Sequence, residues 1–258
     1  FTLYSRAKGA FQDPNVFGPF LVLPSLYLIH RIVTGKLRDL ALFSGPLLFI
    51  LLALFLSFSR AAWGLMVITT ALLVMFLFLQ SESAKFRMRI ILLSGVAVGL
   101  VAVALIIALQ VPQIAELFEQ RAKVVQDYDG ARVGRFARHA IGFWLATENP
   151  WGIGPVEFGK IYGEDTHAMW LKGLMDYGWI GFFGWWVFFI WTLAAGFKIM
   201  LRPRPWQPYL LCAWIVFLGH LFVGIVIDLD KWRHLYLIYG IIWGCIALEA
   251  GVKRNALR

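Results

Sequence analysis

Apolar runs of about twenty residues, separated by short polar connections, set the pattern of this chain. An α-helix crosses the hydrocarbon core of a bilayer in roughly 20 residues, so each run reads as a span. The runs predict spans over about Pro14–Val33, Ala41–Ser59, Ala61–Gln80, Arg89–Leu109, Trp179–Leu201, Pro208–Ile227 and about His234–Ala250. Asp13-Pro14-Asn15 reads as a helix start with Pro in the first turn. Gly45-Pro46 predicts a kink inside the second span. Ser59-Arg60 leaves no loop between the second and third spans, so the chain must turn there in a tight corner. The expected fold is all-α, a polytopic membrane helix bundle of about seven spans.

The longest interval without a span lies between the fourth and fifth runs. Pro112–Gln126 mixes apolar and charged positions and reads as a helix lying on the surface. Asp129–Gly181 follows, crowded with Arg, His, Gly and acidic residues. It predicts two helices joined by a glycine-rich turn. The first starts near Arg132 and places Arg132, Arg135 and His139 on one face. The second starts at His167, with Thr166 or Asp165 as its N-cap. Asn149-Pro150-Trp151-Gly152-Ile153-Gly154-Pro155 is the turn between them. Basic side chains converging with a helix N-terminus make a candidate anion site.

Composition agrees with the pattern. The chain is 60% hydrophobic, with 12 Trp, well above the apolar content of about 45–50% usual in soluble domains. Cys212 and Cys245 sit inside apolar runs and read as packing residues. The formal charge of +9 changes the picture only through its placement. Four connections on one side hold twelve basic residues (Arg31, Lys36 and Arg38; Lys85, Arg87 and Arg89; Lys198, Arg202 and Arg204; Lys253, Arg254 and Arg258) against Asp39, Glu82 and Glu249. The excess is a positive-inside signal that makes this side cytoplasmic, and not a face that tracks nucleic acid. Asp129–Gly181 is then expected on the opposite side. The chain begins at Phe1 with no signal-peptide pattern, and reads as the C-terminal part of a longer protein.

The candidate chemistry lies on that outer side. Arg60 ends one span and opens the next. It reads either as an arginine snorkelling to a headgroup or as a guanidinium held for phosphate, whose geometry its planar fork suits. Arg132 and Arg135 are either a solvated helix face or anion ligands, and Arg138 lies on the same outer side. His167, in the expected first turn of a helix, would feel a dipole that favours the neutral ring, a form able to take a proton from a hydroxyl. Asp228-Leu229-Asp230 matches a divalent-ion pattern, but Lys231 and Arg233 follow at once and make salt bridges the plainer use.

These residues resemble the bacterial O-antigen ligase and polysaccharide polymerase superfamily of C-type membrane glycosyltransferases. Gly9-Ala10-Phe11-Gln12-Asp13-Pro14-Asn15 is similar to its Gly-aromatic-x-x-Pro-Asn helix start, and Ser59-Arg60 to its Ser-Arg corner. Arg135 with Pro150, Gly152 and Gly154 is similar to its Arg…Pro-x-Gly-x-Gly pattern. Thr166-His167 with Tyr177-Gly178-Trp179-Ile180-Gly181 resembles its His-Asn…Gly-x-x-Gly segment, with Ala168 standing where the family commonly has Asn. Asp230-Lys231-Trp232-Arg233-His234 looks like its late Trp-Arg corner. The resemblance implies a single membrane domain over residues 1–258, with residues 111–166 a periplasmic loop carrying surface helices. It implies glycan transfer from an undecaprenyl-diphosphate-linked donor at the periplasmic face of the bacterial inner membrane. The acceptor is lipid A-core for a ligase or another glycan for a polymerase. His167, Arg135 and Arg60 are the expected catalytic residues; Arg132, Arg233 and Arg138 are expected to bind substrate, with no metal, cofactor or nucleic acid. A glycolipid or polysaccharide transporter and a catalytically inactive scaffold are the rival readings.

Overall fold

The computed structural model describes residues 6–122 and 134–256. In chain order its elements are α1 (Pro14–Phe20), α2 (Val22–Thr34), α3 (Leu37–Leu56), α4 (Arg60–Gln80), α5 (Ala84–Ala108), α6 (Pro112–Ala122), α7 (Arg135–Glu148), α8 (Glu157–Tyr162), α9 (Met169–Phe197), α10 (Gln207–Val223) and α11 (Arg233–Ala256). Among the described residues 6 helical stretches are long and apolar enough to cross a membrane. They are Pro14–Thr34, α3, α4, α5, α9 and α11. The remaining expected span corresponds to α10, an apolar helix of 17 residues. Large side chains such as Leu48, Phe49, Val98 and Ile107 stand exposed on α3 and α5. Such faces suit lipid, where a helix satisfies its own backbone. The chain is an all-α polytopic membrane protein.

Two compact units divide the helices: Phe1–Val124 with Pro203–Val216, and Val125–Arg202 with Phe217–Arg258. In the first, Asp13 caps α1 by accepting from the Asn15 amide at 2.8 Å, with Pro14 in the first turn. The first span is broken at Leu21, because Pro24 has no amide to offer the preceding turn. α3, in contrast, runs unbroken through Gly45-Pro46. Gly18 lets α1 approach the next corner closely: a Cβ there would lie 2.6 Å from the Ala62 Cβ. The corner itself is Ser57-Phe58-Ser59, with Phe58 buried at φ 47° and Ser59 capping α4 through the Ala62 amide at 3.4 Å. Arg6 is buried and stitches these parts together. Its Nε donates to the Ser57 carbonyl and one Nη to Asn15 Oδ1, each at 2.9 Å.

The second unit is organised by a bend in α9. Gly178 adopts φ 67°, ψ −175° inside that helix, a conformation open essentially to glycine alone. The turn after α7 docks into the bend. Trp179 donates its amide to the Pro150 carbonyl at 3.0 Å, and Ile153 donates to the Met175 carbonyl at 2.8 Å. Below this joint Ala146, Phe158, Leu174 and Met175 form a buried cluster. Beyond it the helix packs through aromatic rings: Trp170 stacks on Trp186 at 4.3 Å and Phe189 on Phe217 at 5.1 Å. The joint thus ties a solvent-side turn to a membrane helix by backbone hydrogen bonds.

Candidate functional site

His167 lies just before α9, in the left-handed region at φ 53°. It is not in the first turn of the helix. α9 begins at Met169, and its N-cap is Ala168, which has no side chain to cap with. The first amide is satisfied from a distance instead, Met169 donating to the Gly224 carbonyl at 2.8 Å. Gly224 is small enough to allow this, since a Cβ there would meet Met169 Cε at 2.7 Å. On the other side of His167, the Thr166 carbonyl accepts from His139 Nε2 at 2.8 Å. The backbone around His167 is therefore held from α7 and from the chain after α10.

Two carboxylates flank the imidazole. Glu164 Oε1 lies 3.0 Å from His167 Nε2, and Asp228 Oδ2 lies 3.7 Å from Nδ1. The other Glu164 oxygen accepts from Arg138 Nη1, and the Arg138 side chain is only 7% exposed. The hydrogen bonds from His167 and Arg138 hold the Glu164 carboxyl below its usual value. Burial pushes the Asp228 carboxyl up to about 6, against the opposing pull of Lys172 and His167.

Behind the imidazole is a buried charge cluster. Lys172, its side chain 3% exposed, donates to Asp165 Oδ2 at 2.9 Å and faces Asp230 Oδ2 at 3.7 Å. Asp176 stands one turn further along α9. One oxygen each of Asp176, Asp228 and Asp230 is buried without a protein hydrogen bond. A lysine buried against several carboxylates is costly to disturb, because removing one partner strands the others. Lys172 joins the segment before α9 to the loop before α11. Asp228 and Asp230 thus face His167 and Lys172, not the Lys231 and Arg233 that follow them in sequence. Among the described residues no group of three or more His, Cys, Asp or Glu side chains is placed to hold a metal ion.

The other sequence-derived residues fall as follows. Arg60 is the first residue of α4, half-buried behind the Ser59 cap. Arg135 opens α7, its side chain lying outside what the structure describes, and Arg132 lies outside the described residues. Arg233 is exposed at the first position of α11. Arg138 and His167 are brought together, through Glu164. Sequence reasoning passed over Glu164 and Lys172. An ionisable pair, Lys172 and Asp176, one helical turn apart at the head of an apolar helix was the available signal for the second.

The matched motifs also meet. Gly152, at φ 85°, and Gly178 press backbone to backbone, a Cβ on Gly152 lying 2.7 Å from the Gly178 amide nitrogen. The Pro-x-Gly-x-Gly turn and the Gly-x-x-Gly helix are therefore two halves of one joint. A sequence profile described as O-antigen ligase matches residues 45–186, more than half of the chain and both halves of that joint. No curated protein and no solved structure matches the chain. With the corner at Arg60, the joint and His167 all inside the matched region, the chain belongs to the O-antigen ligase family.

Proposed function

We propose that this protein transfers a glycan from an undecaprenyl-diphosphate carrier to an acceptor hydroxyl at the periplasmic face of the bacterial inner membrane. The observation that carries this reading is His167, held between two carboxylates inside the region that the O-antigen ligase profile matches. In the reaction the acceptor oxygen bonds to the anomeric carbon, and the bond from that carbon to the diphosphate oxygen breaks. The hydroxyl proton passes to the imidazole, and undecaprenyl diphosphate leaves carrying the bonding pair. Negative charge therefore gathers on phosphate oxygens as the bond breaks. Arg60 and Arg135 are the residues we assign to that charge, with Arg132 and Arg233 supporting substrate binding. Arg138, which the sequence offered as a further ligand, we assign to Glu164.

Ala168 does not argue against catalysis. Its place is the N-cap of α9, where an Asn would hydrogen-bond the helix's own first amides. The family's Asn is thus read as a cap worth about 1 kcal/mol. Here the Gly224 carbonyl supplies part of that role.

Arg60→Ala or Arg135→Ala is expected to slow transfer by on the order of 10²–10³, the size found when one charge-stabilising donor is lost. Lysine at either position is expected to recover only part of this, because an ammonium cannot make the bidentate contact. The assay offers lipid-linked glycan with and without lipid A-core and reads glycoconjugate and free undecaprenyl diphosphate. Product without lipid A-core would make the protein a polymerase. Unchanged turnover in both alanine variants would remove the arginines from the reaction, and glycolipid movement without product would make the protein a transporter.

The side of the membrane has its own test. Lys160, 65% exposed on α8, replaced by Cys is expected to react with an impermeant maleimide added from the periplasm. Cys at Ala84, exposed at the start of α5, is expected to stay protected until the membrane is opened. The reverse pattern would put His167 on the cytoplasmic side and end the proposal.

A further inference from the structure

Resting on that reading, we propose that Glu164 is a positioning residue. Anchored by Arg138, it holds His167 as the Nε2–H tautomer and leaves Nδ1 as the nitrogen that takes the acceptor's proton. The argument begins with what each atom can do. An ionised carboxylate oxygen only accepts hydrogen bonds, so at 3.0 Å from Glu164 Oε1 the His167 Nε2 must carry its hydrogen. A neutral ring has one donor and one acceptor nitrogen, which makes Nδ1 the basic one.

Glu164 is itself 58% exposed, and such a side chain alone would be a poor guide for a ring. Its second oxygen, however, is tied to Arg138 on α7, which is buried. The segment is fixed on both sides of the glutamate–histidine pair. Lys172 holds Asp165, His139 holds the Thr166 carbonyl, and Gly224 holds the Met169 amide. With the backbone pinned and His167 already in the left-handed region, Glu164 sets how the ring turns. The Nδ1 side is different in kind. Asp228 stands 3.7 Å away, beyond hydrogen-bonding distance, so that nitrogen is not engaged as a donor. A base oriented by a third group that is itself anchored is the recurring arrangement of acid–base sites.

The charged groups that face the imidazole are Glu164 before α9 and Asp228 before α11. Arg138 on α7 acts through Glu164, and Lys172 on α9 acts through Asp165 and Asp228. Glu164→Gln keeps the shape and removes one charge. It is expected to lower kcat by on the order of 10–10²-fold at unchanged donor KM, as when an orienting partner is lost. Without the carboxylate that accepts from Nε2, the ring is expected to lose its tautomer preference, and the Nδ1–H form to appear in the nitrogen-15 spectrum of Glu164→Gln. Glu164→Asp, which keeps the accepting carboxylate, is expected to return kcat toward the parental value. Nitrogen-15 spectra of the histidine-labelled full chain, taken at a pH that keeps the ring neutral and with His167→Ala identifying the resonance, are expected to show Nδ1 unprotonated. A purely structural glutamate would lower kcat without changing the tautomer. Parental kinetics in Glu164→Gln, or an Nδ1–H tautomer in the spectra of the parental chain, would overturn the proposal. Full transfer by His167→Ala would instead overturn the functional reading above, and the tautomer would still be decided by the spectra.

Discussion

His167→Ala is expected to abolish transfer to the acceptor while leaving the lipid-linked donor bound. A positioned general base contributes about 10²–10⁴-fold, so the residual rate should fall near the floor of a product assay. Donor affinity should change little, because in the proposed reaction the ring acts on the acceptor. The surroundings of the ring support this division. Glu164 lies 3.0 Å from one nitrogen and Asp228 3.7 Å from the other. A diphosphate brought against the same ring would meet both carboxylates, and like charges at that range repel. That repulsion supports the proposed division, in which phosphate is assigned to Arg60 and Arg135 and the hydroxyl to His167. The check is a pair of measurements on the variant: equilibrium binding of lipid-linked glycan, and single-turnover transfer at saturating donor. Lost binding with spared turnover would make the imidazole a phosphate ligand and reverse the assignment.

How much of this was legible in the sequence depended on whether the deciding partner was near. The cap at Asp13 and the corner at Ser59-Arg60 were readable, because a helix start is written in adjacent residues. The break at Leu21 was not read, though Pro24 carried the reason. The start of α9 was misplaced by two residues because its cap is a carbonyl 55 positions away, at Gly224, and no local pattern announces that. The same cause hid the partners of Asp228 and Asp230. Proximity in sequence pointed to Lys231 and Arg233, whereas the fold supplies His167 and Lys172. Glu164 drew no notice for a related reason, since its anchor Arg138 is 26 residues earlier. The periodicity of apolar positions carried the spans well and the site poorly. A span is a local composition; a site is a set of distant meetings.

Gly178→Ala is expected to destabilise the second unit by about 3–5 kcal/mol, from backbone strain together with two lost hydrogen bonds. The residue sits at φ 67°, ψ −175°, which a Cβ makes strained whatever the space around it. There is also no space. The added carbon would fall against the Pro150 carbonyl oxygen, 2.5 Å from the Trp151 carbonyl carbon and 2.8 Å from the Gly152 nitrogen. All three are backbone atoms, so no side chain can rotate away. Relief requires the turn to withdraw from the helix, which breaks Trp179 to Pro150 and Ile153 to Met175. Gly184, on the same helix, is the control. Nothing lies within 4 Å of a Cβ there, and alanine is the better helix former, so Gly184→Ala should be neutral or slightly stabilising. The effect should reach the site as well, since the stretch of α9 before the bend carries Lys172 and Asp176 and begins beside His167. Denaturant titrations of the three chains in one detergent would read the stability, and the transfer assay the activity. If Gly178→Ala unfolds with the parental midpoint, the docked joint is not what holds this unit together, and the two shared glycine motifs need another explanation.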